Sequence, residues 1–418
     1  MSSELSSATS PPAQLPAHTG VHGGLRLLLA LLMAFGPLAI DMYLPALPAI
    51  AAELNASSGA VQATLAAYLA GMAGGQLFYG TLADRLGRRL PLLMGLALFT
   101  LASLGCAQAQ SVESLTAWRL VQALGGCVGV VMPLTIVADR VRGAGETARV
   151  LSQLMAVLGV APIAAPTVGG AVQALLGWRG IFGVLAALGA LAFVLVWRTL
   201  DETLPRSARQ HPPLPWRRVL PGYAGLLAHR GFVAPALAGA LARAGMFVYI
   251  SASAFVFIRH LGLAPLAFSG VFAANALALV LSAQVNARLV RRIGPHGVLR
   301  WSLPGMVATG LYLALLGATG HATLWTLLPG LMLFLGLLGF AASNTTALAI
   351  SSSQAQQRRG TASGLLGTMQ FACGASAGAL LGLAGDTGPL AMGVAMAACA
   401  ALAWTVFRFS APRAGQAL

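Results

Sequence analysis

The amino-acid sequence predicts an all-α membrane protein of twelve transmembrane helices, arranged as two six-helix pseudo-symmetric halves. Three observations carry this expectation. Of 418 residues, 57% are hydrophobic and only 8% are charged, against about 25% charged in an ordinary soluble domain. Apolar stretches recur along the chain at the length of roughly 20 residues that a helix needs to cross about 30 Å of hydrocarbon. The arginines lie almost entirely between those stretches, and nearly all on one side.

Taken in order, residues 1–24 are rich in Ser, Pro and Ala and read as a disordered tail. Twelve apolar segments follow, near 25–50, 60–79, 91–110, 115–137, 148–171, 179–199, 232–258, 266–287, 298–318, 323–349, 361–384 and 388–409. The first is too long for a signal-peptide core and holds Asp41 and several prolines, so it reads as a retained helix. Connections are short except for residues 200–231, which are polar, Pro-rich and basic. They separate a six-helix half at 25–199 from a second at 232–410, with a short tail at 411–418.

Charge placement orients the chain. The N-terminus, the loops after even-numbered segments and the C-terminus share one side, which collects most of the 25 basic residues; the other side holds only Arg179 and Arg259. By the positive-inside rule both termini are expected in the cytoplasm, with the protein multi-pass in a bacterial inner membrane. The net charge of +15 is therefore topological and does not point to nucleic acid. Every basic side chain is Arg, which excludes a Walker A lysine and a pyridoxal Schiff base. Cys106, Cys127, Cys373 and Cys399 lie far apart in apolar segments and read as small core residues. The seven histidines fall in tails or near helix ends. With no cluster of His, Cys or carboxylates, neither enzyme chemistry nor a metal site or cofactor is expected.

The halves echo each other in sequence. The loop after segment 2 reads Ala83-Asp84-Arg85-Leu86-Gly87-Arg88-Arg89, and the loop after segment 8 reads Val290-Arg291-Arg292-Ile293-Gly294-Pro295-His296. An Arg and a Gly recur at matching offsets, as expected of two repeats related about an axis along the membrane normal. Gly80 and Gly87 permit close turns, while Asp84, Arg85, Arg88 and Arg89 can pair and cap helix ends, forming a conformational latch.

Asp41 stands apart from the other nine acidic residues, which fall in loops, tails or segment ends. Burying an unpaired carboxylate costs several kcal/mol, so such a group is protonated, paired or reached by water. Two arginines also lie inside apolar segments. Counting about 1.5 Å per residue, Asp41 lies about 22 Å from the cytoplasmic start of its helix and Arg119 roughly 6 Å inside the outer end of an opposite-running one. Arg243, at mid-depth in segment 7, either faces a cavity or snorkels. Tyr43, Gln62, Tyr68, Tyr249, Asn275 and Asn344 are further polar groups expected to face the bundle interior and line a substrate cavity with Arg243.

These motifs resemble the major facilitator superfamily. Gly80 to Arg89 is similar to that family's signature loop, in the position where the family keeps it. Ile40-Asp41-Met42-Tyr43-Leu44-Pro45-Ala46-Leu47-Pro48 resembles the first helix of its Bcr/CflA branch, to which bicyclomycin resistance proteins belong. Trp118-Arg119-Leu120-Val121-Gln122-Ala123-Leu124-Gly125-Gly126 resembles the motif whose Arg is implicated in proton coupling, and the resemblance implies that Arg119 biases the Asp41 proton. In segment 5, Gly159, Pro162, Pro166, Gly169 and Gly170 fit the motif of antiporters and drug exporters, although Ala165 replaces its usual Gly. Ala244 to Ile250 and Gly360 to Gly364 extend the likeness to segments 7 and 11. The resemblance implies a proton-coupled antiporter exporting drugs or other small molecules by alternating access. Its partners are then protons, a small-molecule substrate and the lipid bilayer. It is expected to act as a monomer, without nucleic acid and with the proton gradient as its energy source. A proton-linked transporter of a metabolite, such as an amino acid or nucleoside, is the alternative.

Overall fold

Each apolar stretch becomes a helix in the computed structural model, which describes residues 23–141, 144–204, 216–352, 355–356, 359–385 and 388–410. Residues 1–22 of the tail expected at 1–24, the tail at 411–418 and the side chain of Asp84 lie outside the described residues, and the first helix already begins at Gly23. Nine described stretches are long and apolar enough to cross a bilayer. Two of the nine, Ala144–Thr199 and Pro265–Ala318, are double, since non-helical backbone interrupts them at Gly177 and Gly294. The twelfth span is Ser58–Leu86, a 29-residue helix with buried Gln62, Thr64 and Gln76, which make it less apolar than the rest.

In chain order the spans are 1, Gly23–Glu53; 2, Ser58–Leu86; 3, Arg89–Ala107; 4, Val112–Arg140; 5 and 6, the parts of Ala144–Thr199 either side of Gly177; and 7, Arg230–His260. Spans 8 and 9 are the parts of Pro265–Ala318 either side of Gly294, followed by 10, Leu324–Ser351; 11, Arg359–Leu383; and 12, Pro389–Ser410.

The two halves repeat in detail. Span 4 starts with a reciprocal cap between Ser111 and Ser114, and span 10, its counterpart, starts with the same device between Thr323 and Thr326; each satisfies amide donors that a helix start leaves open. Span 2 ends at Gly87 (φ 89, ψ −176) and span 8 at Gly294 (φ 70, ψ 167). Essentially only glycine adopts that backbone region, which explains the Gly shared by the two basic loops.

The halves meet along two related seams. Span 2 packs on span 11, and span 5 packs on span 8. At the first seam the backbones of Gly59 and Gly382 touch, Ala66 faces Gly378, and the Thr368 hydroxyl donates to the Ala73 carbonyl at 3.2 Å. At the second, Gly170 faces Pro265 and Ser269, and Gly159 faces Val280. Residues 59, 382, 170 and 265 all belong to the helix ends away from the Arg-rich face. The segment Leu44–Ala46, near the same end of span 1, crosses to touch spans 7 and 8. These seam contacts run from that end to mid-depth.

Residues 200–231 are not wholly a loop. They contain a helix, Trp216–Ala228, that packs on spans 7 and 11. Its Leu226 is buried with Phe232, Leu365 and Leu366. Trp216, Val219, Leu220, Tyr223, Leu226 and Leu227 recur at helical spacing, a pattern masked by the surrounding prolines and arginine pairs.

Candidate transport site and latch

Span 1 loses its regular bonding at the residue that matters. The helix proper ends at Asp41, a 3-10 turn covers Leu44–Ala46, and helix resumes over Leu47–Glu53. Pro45 and Pro48 have no N–H to donate to the carbonyls four residues earlier, which weakens the helix ladder there. Asp41 is buried, 4% exposed. Three residues on, Leu44–Ala46 touches spans 7 and 8, so Asp41 stands close to where the halves meet.

Arg119 is fully buried and reaches span 1, but at its backbone. Nη1 donates to the Ala39 carbonyl at 3.0 Å and to Gln122 Oε1 at 2.7 Å. Gln122 in turn donates to Ser103 Oγ at 2.7 Å, and Ser103 to the Phe99 carbonyl. The guanidinium carbon sits 4.2 Å from the Tyr68 ring centroid, 4.7 Å from Tyr43 and 5.7 Å from Phe182. Ring faces attract a desolvated cation by about 2 kcal/mol or more, so aromatic rings, a carbonyl and an amide hold this charge. Among the described ion pairs none joins Arg119 to Asp41. The guanidinium thus meets span 1 two residues before Asp41, at the backbone and not at the carboxyl. The Tyr43 hydroxyl is tied to Thr64 at 2.7 Å. Gln62 is buried nearby on span 2, and neither end of its amide is bonded among the described residues.

In the second half, Asn275 Nδ2 donates to the Tyr249 hydroxyl at 2.9 Å, and the Tyr249 ring stacks on Phe272 at 5.6 Å and 20°. Asn344 donates to Asn286 at 2.8 Å, bridging spans 10 and 8. Arg243 is half-buried, with Nε sealed from solvent. Ser103, Thr64, Gln122 and Asn286 complete the polar framework; each is a polar group inside an apolar span, the signal that singled out Asn275 and Asn344.

The span 5 motif packs on span 1 next to Asp41. A side chain at Gly169 would overlap the Met42 backbone, and Gly170 faces span 8. Pro162 and Pro166 are carried within the helix, Pro166 buried. The small residues therefore let span 5 press span 1 at the residue after Asp41 while its other contacts reach the opposite half.

At the Arg-rich face the basic loop is tied to spans 4 and 6. Arg88 Nε pairs with Asp139 at 2.9 Å, and Thr203 donates to the same carboxylate at 3.2 Å. Glu202 accepts the backbone N–H of Arg88 at 2.8 Å and of Arg89 at 3.4 Å, placing an anion on the N-terminus of span 3, where the helix dipole favours it. Arg89 Nη2 donates to the Trp197 carbonyl at 2.6 Å. A Cβ at Gly87 would collide with the Glu202 carboxylate. Gly80 has open space around it, and Arg85 is half-buried. Asp139 and Glu202, more than fifty residues away, are the partners of this loop that its own sequence does not reveal.

Two helical halves thus meet around buried Asp41 and Arg119, in a bundle whose helices are long and apolar enough to cross a membrane. The Major Facilitator Superfamily model matches residues 29–379, and the chain belongs to that family. An uncharacterized MFS-type transporter of Bacillus subtilis is 34% identical over 94% of this chain and 96% of its own length. A bicyclomycin resistance protein homolog of Haemophilus influenzae is 30% identical over 85% and 88%. The crystal structure of a nucleoside transporter, 17% identical, superposes with a TM-score of 0.70 over 93% of this chain and all of its own, a likeness of fold.

Proposed function

We propose that the chain is a proton-coupled antiporter that exports drugs or other small molecules from a bacterial cytoplasm, with both termini inside. One observation carries the reading: Asp41, the acid inside an apolar span, is buried at a break in span 1, just before the turn that touches the other half. A carboxylate there costs several kcal/mol unless it is protonated, paired or watered, so its charge and its access to water are coupled. Protonation from outside permits release of cargo and closure of the outer seams; rocking of the halves then returns the proton inside as cargo binds. Arg119, bonded to span 1 beside Asp41, sets the field in which that exchange occurs. Kinship with a bicyclomycin resistance homolog and the span 5 motif favour export over uptake. The test compares wild type with Asp41→Asn in a drug panel in an efflux-deficient host and in inverted vesicles. Resistance and proton-driven accumulation are expected for wild type, and loss of at least tenfold for the variant. Wild-type transport by Asp41→Asn against a gradient overturns the coupling assignment, and proton-driven flux in the opposite sense supports a metabolite carrier.

A further inference from the structure

No apolar span of the second half carries an acidic residue to pair with Arg243. After Glu202 the sequence holds a single acidic residue, Asp386, in the connection between spans 11 and 12, whereas Arg243 lies 13 residues into span 7, about 20 Å from the Arg-rich end. That depth is near the middle of about 30 Å of hydrocarbon, beyond a lipid headgroup. Its side chain is half-buried, with Nε sealed and unbonded among the described residues. Its neighbours one turn away pack to either side, Gly239 on Thr345 of span 10 and Phe247 on Phe371 and Gly374 of span 11. Residues four apart share a helix face, so Arg243 lies over the seam between spans 10 and 11. The Asn344–Asn286 amide pair adjoins Thr345 at that depth. Tyr249, which stands near Asp41, is six residues further along span 7, about 9 Å away. The cation is thus separate from the proton-exchanging carboxyl and displaced towards the Arg-rich face.

We infer that Arg243 is an anion-binding group in the cargo path, fitted to molecules that carry a carboxylate on an otherwise apolar frame. A guanidinium presents a planar fork that binds a carboxylate through two parallel hydrogen bonds. The inference rests on the exporter reading for the direction of transport, while the binding preference stands apart from it.

The test titrates full-length protein in nanodiscs of zwitterionic lipid with 3-phenylpropionate and its primary amide, which differ in charge and hardly in shape. The acid is expected to bind about tenfold tighter than the amide, a typical worth for a charge-assisted pair. That ratio should fall towards one in Arg243→Gln and lie between in Arg243→Lys, which keeps charge but loses the fork. Circular dichroism checks that each variant is folded. Equal affinities in wild type, binding of neither compound, or a ratio kept by Arg243→Gln overturns the inference. Loss of the acid preference on adding phosphatidylglycerol assigns the site to a lipid and also overturns it. If the acid binds through Arg243 but inverted vesicles show no proton-driven transport, the exporter reading fails and the anion site stands.

Discussion

Gly87 combines two constraints that a single residue rarely carries. Its φ of 89 lies where a side chain is strained, and the Glu202 carboxylate occupies the space a Cβ would take. Gly87→Ala therefore costs about 1–3 kcal/mol in backbone strain alone, and it pushes Glu202 off the start of span 3. The purified variant is expected to melt several degrees below wild type; an unchanged melting temperature would show that the turn is not held as described. The requirement for Gly was legible in sequence from the repeated basic loop, but its partner was not, because Glu202 arrives from the far end of span 6. Arg119 shows the same limit. Its depth followed from counting residues, whereas its bond to Ala39 depends on where span 1 stops being a regular helix: Met42 N–H closes the last bond onto Leu38, and the next carbonyl is taken by the guanidinium.

At the scale of elements, span 5 behaves as a spacer whose thickness is set by its glycines. Gly169 allows contact with the Met42 backbone, and Gly170 and Gly159 set the approach to span 8. Gly169→Val adds bulk against backbone, not against a side chain that could turn away. It should shift the Asp41 segment and cut transport more than tenfold, with protein still present in the membrane. The measurement is vesicle transport normalised to protein amount, and wild-type flux would mean that the contact can yield. Element positions were largely legible, since apolar runs and Arg placement locate twelve spans to within several residues. The helix Trp216–Ala228 was hidden because Pro221 and the neighbouring prolines carry the composition of a loop, while its burial against spans 7 and 11 is a tertiary fact.

For the whole molecule, described contacts between the halves reach the helix ends opposite the Arg-rich face, and an alternating carrier must part those ends. Gly59 touches Gly382 backbone to backbone, and Arg259 of span 7 donates to Ser58 at the start of span 2 at 2.7 Å. Both contacts join different halves at the face opposite the arginine clusters, so a carrier open to that face has to break them. A pair of cysteines at Ala66 and Gly378 of the same seam, where a Cβ at 378 would stand 3.6 Å from that of Ala66 and so within disulfide reach, in a background with Cys106, Cys127, Cys373 and Cys399 replaced by serine or alanine, is expected to cross-link under mild oxidation. The bond should stop transport and reducing agent should restore it, because the fold of each half is untouched and only their rocking is blocked. Each single cysteine serves as a control for the effect of bulk at that seam. Cross-linked protein that transports at the rate of the reduced form would mean that this seam stays together throughout the cycle, and the halves would then have to move about some other axis.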